Sequence, residues 1–425
     1  MKLNEYSLIG EAVYSEQSPN GLSVFIVPKR GFHKYYAYFA ANYGGVDIQY
    51  SYEGERIETP QGVAHFLEHK MFDTPSGDAL LKLSANGASP NAYTSADITA
   101  YHFDCVENFF ENLAILLDFV STPYFTTESV KKEQGIITQE ILMNEDDPDY
   151  CLYFNLMKSL FRYSPLRDCV AGTTESIANI TAQTLYDCHK AFYTPSNMVL
   201  CVAGDIIPQD VMQVVRAIVP EDAGMAPERY YGLQEPLQPV SAYISGQMDV
   251  SLPIFLAGCK ITPAGSERDT LKFELINALA LELLAGQSSP LYFRLYSDGL
   301  ISSDFSTTFE SAAGTAFSCF GGETREPEHV FDEVLQEVQR VSRNGFDAGL
   351  FERIKKASIG SHIRMFNSFG AICGNIAGGH FRGYDALKAL EMLSSINEKD
   401  IISFIRDNLI PENMALSIIS PREAQ

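Results

Sequence analysis

Short runs of β-branched and aromatic residues alternate along this chain with longer stretches whose apolar positions recur at helical spacing. Gly21 to Pro28, Lys34 to Tyr43 and Ala100 to Cys105 are compact apolar runs, which predicts strands. Gln61 to Phe72, Asn108 to Phe119 and Val130 to Asn144 carry apolar residues three and four apart, which predicts helices. The mixture predicts an α+β fold built on mostly antiparallel sheets covered by helices.

The pattern is used twice. Ile180-Thr181-Ala182-Gln183-Thr184-Leu185 leads through a helical stretch to Pro195-Ser196-Asn197-Met198-Val199-Leu200. Ile396-Asn397-Glu398-Lys399-Asp400-Ile401 leads likewise to Pro411-Glu412-Asn413-Met414-Ala415-Leu416, so both landmarks recur 216 positions later (180 to 396, 195 to 411). The shared offset predicts two tandem homologous domains, each long enough for its own core. Pro220, Pro227, Pro236 and Pro239, with Gly224 and Gly232, interrupt regular structure between them. The expected division is therefore residues 1–218, a linker at 219–239, and residues 240–425.

A length of 425 residues is long for one core, and 46% hydrophobic against 20% charged content gives both copies material to pack. No apolar stretch approaches a membrane span, and Met1-Lys2-Leu3-Asn4-Glu5-Tyr6 carries an early acid, unlike a secretory signal. A cytoplasmic location is the expectation. The eight cysteines show no close pair at metal-ligand spacing, which suits reduced thiols better than a disulfide framework. A formal net charge of −23, with no Lys/Arg cluster, argues against nucleic acid as a partner. The acidity suits either solubility or long-range attraction of cationic peptides.

Chemistry concentrates in His65-Phe66-Leu67-Glu68-His69. On a helix the two imidazoles lie roughly 40° apart and about one turn apart along the axis, so both rings reach one ion. Glu68 falls on the same side, beside the coordination position that a hydrolytic site leaves to water. A buried histidine pair is the plain alternative. Zinc needs a third protein ligand. Glu133 and Glu140 sit seven residues apart on one helix face, away from Ile136, Ile137 and Ile141. Glu140 is the candidate ligand, and Glu133 is placed to hold a ligating histidine or the ligand helix by a hydrogen bond. Either glutamate alone reads equally well as a solvated helix face. His33, His102, His189, His329, His362 and His380 stand apart from any carboxylate cluster and read as structural or exposed.

The run Gly62 to Phe72, then Ser89-Pro90-Asn91-Ala92-Tyr93-Thr94-Ser95, then Glu133 to Glu140 and Asp146-Asp147-Pro148, resembles the inverzincin metallopeptidases. That family includes pitrilysin, insulysin and the mitochondrial processing peptidase, and its signature is the reversed His-x-x-Glu-His. The resemblance covers essentially the whole chain and implies a small two-domain subunit. It implies one zinc per chain on His65, His69 and Glu140, with Glu68 as general base and Glu133 as a supporting carboxylate. Asn91 and Ala92 match the edge strand that, in the family, pairs with the substrate backbone. The second copy has Leu275-Ile276-Asn277-Ala278-Leu279-Ala280-Leu281-Glu282-Leu283 where the first has its histidines, so it cannot hold the same ion.

One segment departs from the family. Active members carry an Arg and a Tyr in a second-domain segment of the type Leu-Arg-x-x-x-Gly-Leu-x-Tyr, implied to contact the substrate carbonyl and the transition state. Here Leu295-Tyr296-Ser297-Asp298-Gly299-Leu300-Ile301-Ser302 puts Tyr296 in place of the Arg and Ser302 in place of the Tyr, while Arg294 points to another side of its helix. The resemblance and this departure together predict a zinc metalloendopeptidase cleaving unfolded peptides, leaders or presequences inside a closed chamber. The expected assembly is a heterodimer with a related chain that supplies the Arg and Tyr, with a homodimer as the second choice. Two other readings stay open: a structural or assembly subunit of this fold, and a zinc-dependent peptide-binding subunit inactive without its partner.

Overall fold

A computed structural model describes residues 1–265 and 267–422. The chain folds into two compact units, each assembled from three stretches. The first joins Met1–Ile141, Cys169–Tyr231 and Ile363–Lys388; the second joins Leu142–Asp168, Gly232–His362 and Ala389–Gln425.

The first unit is built on a seven-stranded sheet. Its strands are β1 (Lys2–Tyr6), β2 (Glu11–Gln17), β3 (Ser23–Pro28), β4 (Tyr35–Ala41), β5 (Ala88–Thr94), β6 (Thr99–Cys105) and β7 (Met198–Gly204), in the spatial order β1-β2-β3-β7-β4-β6-β5. Only β7 and β3 pair in parallel. Every residue of β7 is buried, which explains its unbroken apolar run Met-Val-Leu-Cys-Val-Ala-Gly: a central strand covered on both faces has no polar side to show. Leu200 and Val202 pack with Val24, Ile26 and Phe39 beneath helices on one face. Val199, Cys201 and Ala203 point to the other, where the helix Phe369–Phe381 lies. That helix buries Phe369, Ile372, Cys373, Ile376 and Ala377, the spacing of a single apolar stripe.

The second unit repeats the plan. Strands β8 (Tyr243–Met248), β9 (Ile254–Ile261), β10 (Ser306–Ala312), β11 (Thr315–Glu323) and β12 (Met414–Pro421) lie in the order β8-β12-β9-β11-β10, again with one parallel pair, β8 and β12. This reproduces β3-β7-β4-β6-β5 strand for strand. The helix Pro148–Leu160 covers this sheet, and a Cβ on Gly258 would meet the Leu160 and Leu156 side chains at 2.8 and 3.0 Å, so the helix sits where only glycine fits. The repeat extends to caps: Thr181 and Asn397, 216 positions apart, each close a capping box ahead of the helices Ala182–Phe192 and Glu398–Asn408. The fold is α+β with two homologous halves, as the apolar pattern predicts.

The proline-rich stretch is fastened rather than loose. Arg229 Nε lies 3.1 Å from Asp47, and Tyr231 donates its hydroxyl to the same carboxylate at 3.1 Å, within the first unit. Glu235 accepts the N–H groups of Arg162, Tyr163 and Ser164 at 2.8, 2.7 and 3.0 Å and pairs with the buried Lys260 at 3.2 Å, within the second. Cys105, Cys201, Cys259 and Cys319 lie in strands, and all eight cysteines are free thiols. No helix among the described residues is long and apolar enough to cross a membrane.

Candidate metal centre

Two helices of the first unit carry the site. Helix α1 (Val63–Met71) starts at Gly62, whose φ of +87° and whose missing Cβ, which would lie 2.4 Å from the Ala171 carbonyl oxygen, both require glycine. Val63, Ala64, Phe66, Leu67 and Met71 are buried, so α1 is packed on most sides and keeps one open face, that of His65 and His69. Helix α2 (Thr127–Glu145) buries Val130, Ile137 and Ile141 and turns Glu133 and Glu140, two turns apart, toward those histidines.

The donor atoms converge. His65 Nε2 lies 3.5 Å from Glu140 Oε1, and His69 Nε2 lies 3.7 Å from Glu140 Oε2. One donor atom from each of His65, His69 and Glu140 can be chosen so that all lie within 4.8 Å of one another. Ligands of a tetrahedral zinc ion stand roughly 3.3 Å apart, from bond lengths near 2.0 Å, so the spacing fits a metal better than it fits direct hydrogen bonds. The chemistry fits too. Burial, with His69 beside it, pushes His65 down to about 4, which leaves the ring neutral, the form that binds a metal. Its buried Nδ1 has no hydrogen-bond partner among the described residues.

Glu133 meets the other nitrogen of His69, with Oε1 at 3.1 Å from Nδ1. Burial alone would raise the Glu133 carboxyl, but His69, Lys70 and Lys132 hold it below its ordinary range. For His69 burial works downward, yet the hydrogen bond to Glu133 and the charges of Glu68, Glu133 and Glu140 hold the imidazole above its ordinary value. Glu68 is 8% exposed, and that burial raises its pKa against the opposing pull of His69 and Thr94. Thr94 Oγ1 donates to Glu68 Oε2 at 3.1 Å, and Thr94 ends β5, so the candidate base is tied to the sheet edge.

Asn91 and Ala92 lie in β5, which among the described residues pairs with β6 alone and leaves its other side unpaired. The Ala92 N–H donates to Asn91 Oδ1 at 2.9 Å, so it points away from β6 toward the free edge. Pro90, two residues earlier on the same side, offers no N–H there. The sequence singles out neither Thr94 nor Lys70, whose side chain is buried and whose ammonium reaches Asp73 and, at 3.8 Å, Glu133 Oε2. Thr94 lies in the quoted run, but a threonine there carries no chemical signal of its own.

Residues 47–174, which hold all of these groups, match the family described as Insulinase (Peptidase family M16), and residues 179–358 match the Peptidase M16 inactive domain. An uncharacterised zinc protease of Bacillus subtilis, YmfH, is 35% identical over 98% of this chain and 99% of its own. The chain belongs to peptidase family M16. The crystal structure of a putative M16-like peptidase from Alicyclobacillus acidocaldarius superposes with a TM-score of 0.93 at 31% identity, covering 97% of this chain and 99% of that one. A probable mitochondrial-processing peptidase subunit beta of Arabidopsis thaliana is 28% identical over 39% of this chain and 32% of its own.

Among the described residues, His65, His69 and Glu140 form the one cluster of three or more His, Cys, Asp or Glu side chains spaced to hold a metal. The Arg/Tyr segment needs one correction. In the family pattern the Arg precedes the Gly by four residues, and four back from Gly299 is Leu295, not Tyr296. Leu295 is fully buried, whereas Tyr296 is 53% exposed and Arg294 is paired with Glu333.

Proposed function

We propose that this M16 protein is a zinc-dependent endopeptidase acting on unfolded peptides such as leaders or presequences, with His65, His69 and Glu140 as metal ligands. The observation that carries this reading is the convergence of those three donors beside a buried carboxylate, Glu68, that is hydrogen-bonded to the end of the edge strand β5. Zinc, when bound, supplies a Lewis acid for water and the scissile carbonyl. Glu68 then takes the proton of the attacking water and returns it to the leaving amine. Thr94 orients the carboxylate through its hydrogen bond to Oε2. Glu133 holds His69 through Nδ1, presenting Nε2 toward Glu140. The substrate backbone would add to the free edge of β5 at Ala92, displacing the Asn91 side chain from the Ala92 N–H.

The competing reading is a peptide-binding or assembly subunit that is inactive alone. The buried Leu295 at the arginine position favours it. Peptide cleavage by the purified zinc-loaded chain, absent on the competing reading, separates the two, and Glu68→Gln tests the base. The substitution keeps size and shape but accepts no proton, so zinc and peptide should still bind while turnover falls at least about a hundredfold. Peptide cleavage at the parent rate by the zinc-loaded variant would overturn the assignment of Glu68.

A further inference from the structure

Lys70 is the least expected residue on α1. It follows His69 directly, and its side chain is 2% exposed although lysines are rarely fully buried without a partner. Its partners are both carboxylates. One is Asp73, three residues on and 44% exposed; the other is Glu133, whose Oε2 lies 3.8 Å away while its Oε1 meets His69 Nδ1 at 3.1 Å. Glu133 is thus held from both ends, by an imidazole on one oxygen and a buried cation on the other. We propose that Lys70 is a positioning residue for the metal centre: held between Asp73 and Glu133, it fixes the Glu133 carboxylate on Nδ1 of His69 and so aims the opposite nitrogen, Nε2, at the ligand position. This rests on the ligand assignment proposed above.

The physical case is one of alternatives removed. A glutamate on a helix has three side-chain torsions, and Glu133 without Lys70 would keep only the single bond to His69 to choose among them. A long, flexible acceptor orients an imidazole poorly, and carboxylates behind ligating histidines matter to metal affinity by about 10-fold to 100-fold. Lys70 is well suited to this task because it is itself immobilised. Phe66, Leu67 and Met71 around it on α1 are buried, and Asp73 pins the ammonium from the solvent side.

The test is a double-mutant cycle read as zinc affinity, by competition with a chromophoric chelator, rather than as activity. Lys70→Met keeps the volume of the slot and should weaken zinc binding about tenfold in the parent chain. In a Glu133→Gln background the same change should matter by less than about twofold, because the group through which Lys70 acts is already disabled. Equal weakening in both backgrounds would show a general packing role, and no weakening in the parent chain would show no role; either result overturns the inference. Denaturant unfolding of the metal-free variants reports whether each folds, and Lys70→Gln serves under the same criteria if Lys70→Met does not. His65→Ala is the control on the underlying assignment. Zinc retained in that variant overturns the ligand set and this inference with it, whereas zinc lost there but indifferent to Lys70→Met overturns this inference alone.

Discussion

His65 and His69 carry the same side chain one turn apart, and their surroundings give them different properties. His65 is half-buried with an unpartnered Nδ1, and burial together with the neighbouring His69 outweighs the opposing charge of Glu133 and pushes it down to about 4. His69 has Glu133 on Nδ1 and two further carboxylates nearby, so it holds a proton more strongly than a free imidazole despite its burial. His69 and, at Glu133, Lys70 are the cationic neighbours of a cluster of carboxylates, Glu68, Glu133 and Glu140, whose negative charge a bound divalent ion would offset. The residue-scale prediction is about one zinc per chain, lost on replacing either kind of ligand. Metal analysis of purified His65→Ala and Glu140→Gln should find little zinc in both, and stoichiometric zinc in both would remove the site. The two histidines and Glu68 are legible in the sequence because five consecutive residues on one helix fix their own geometry. Thr94 and Lys70 are not, because their meaning lies in contacts with Glu68 and Glu133, 26 and 63 residues away in the chain.

At the scale of elements, the edge strand β5 and helix α1 are one device. Thr94 joins them through Glu68, so a peptide laid along β5 would run past the base at a distance set by the strand itself. The side of β5 that faces away from β6 presents residues 88, 90, 92 and 94, and Pro90 and the Asn91 cover on Ala92 leave few open donors there, a common protection of exposed edges. If substrate pairs at Ala92, removing its N–H should weaken binding without touching the chemistry. Ala92→Pro costs β5 no bond to β6, since that N–H points outward, and should raise KM for peptides about tenfold with kcat and zinc content near those of the parent. Unchanged KM would mean that substrate docks elsewhere. Periodicity predicts β3, β4, β6, α1 and α2 to within a few residues, because core burial enforces period on them, whereas β5 is expected from the family resemblance and not from periodicity. Periodicity does not tell which sheet a helix covers: Pro148–Leu160 and Phe369–Phe381 have ordinary apolar stripes, and each could sit on any apolar face of matching shape.

At the scale of the whole molecule, the two halves share a sheet topology and differ in chemistry. The 216-residue repeat is visible in the sequence because the same capped helix, turn and central strand recur in both copies, each demanded by the same local packing. The long helix of the second half, Glu267–Ala285, carries leucines and alanines where α1 carries imidazoles, and the position of the family arginine is a buried leucine. A peptidase of this family needs groups that stabilise charge on the scissile carbonyl, and losing them costs on the order of a hundredfold or more in rate. The expected remedy is a second chain that lacks the zinc ligands and keeps the Arg and Tyr, with this chain contributing metal, base and strand edge. Peptidase assays on the purified chain, alone and co-expressed with such a relative, test this directly. The expected result is weak cleavage alone and at least about a hundredfold more in the mixture, with both chains in one peak on gel filtration. Full activity from this chain alone, unchanged by the relative, would exclude the heterodimer. It would turn attention to the exposed Tyr296 and to Arg294, which would then have to leave Glu333 to reach a substrate.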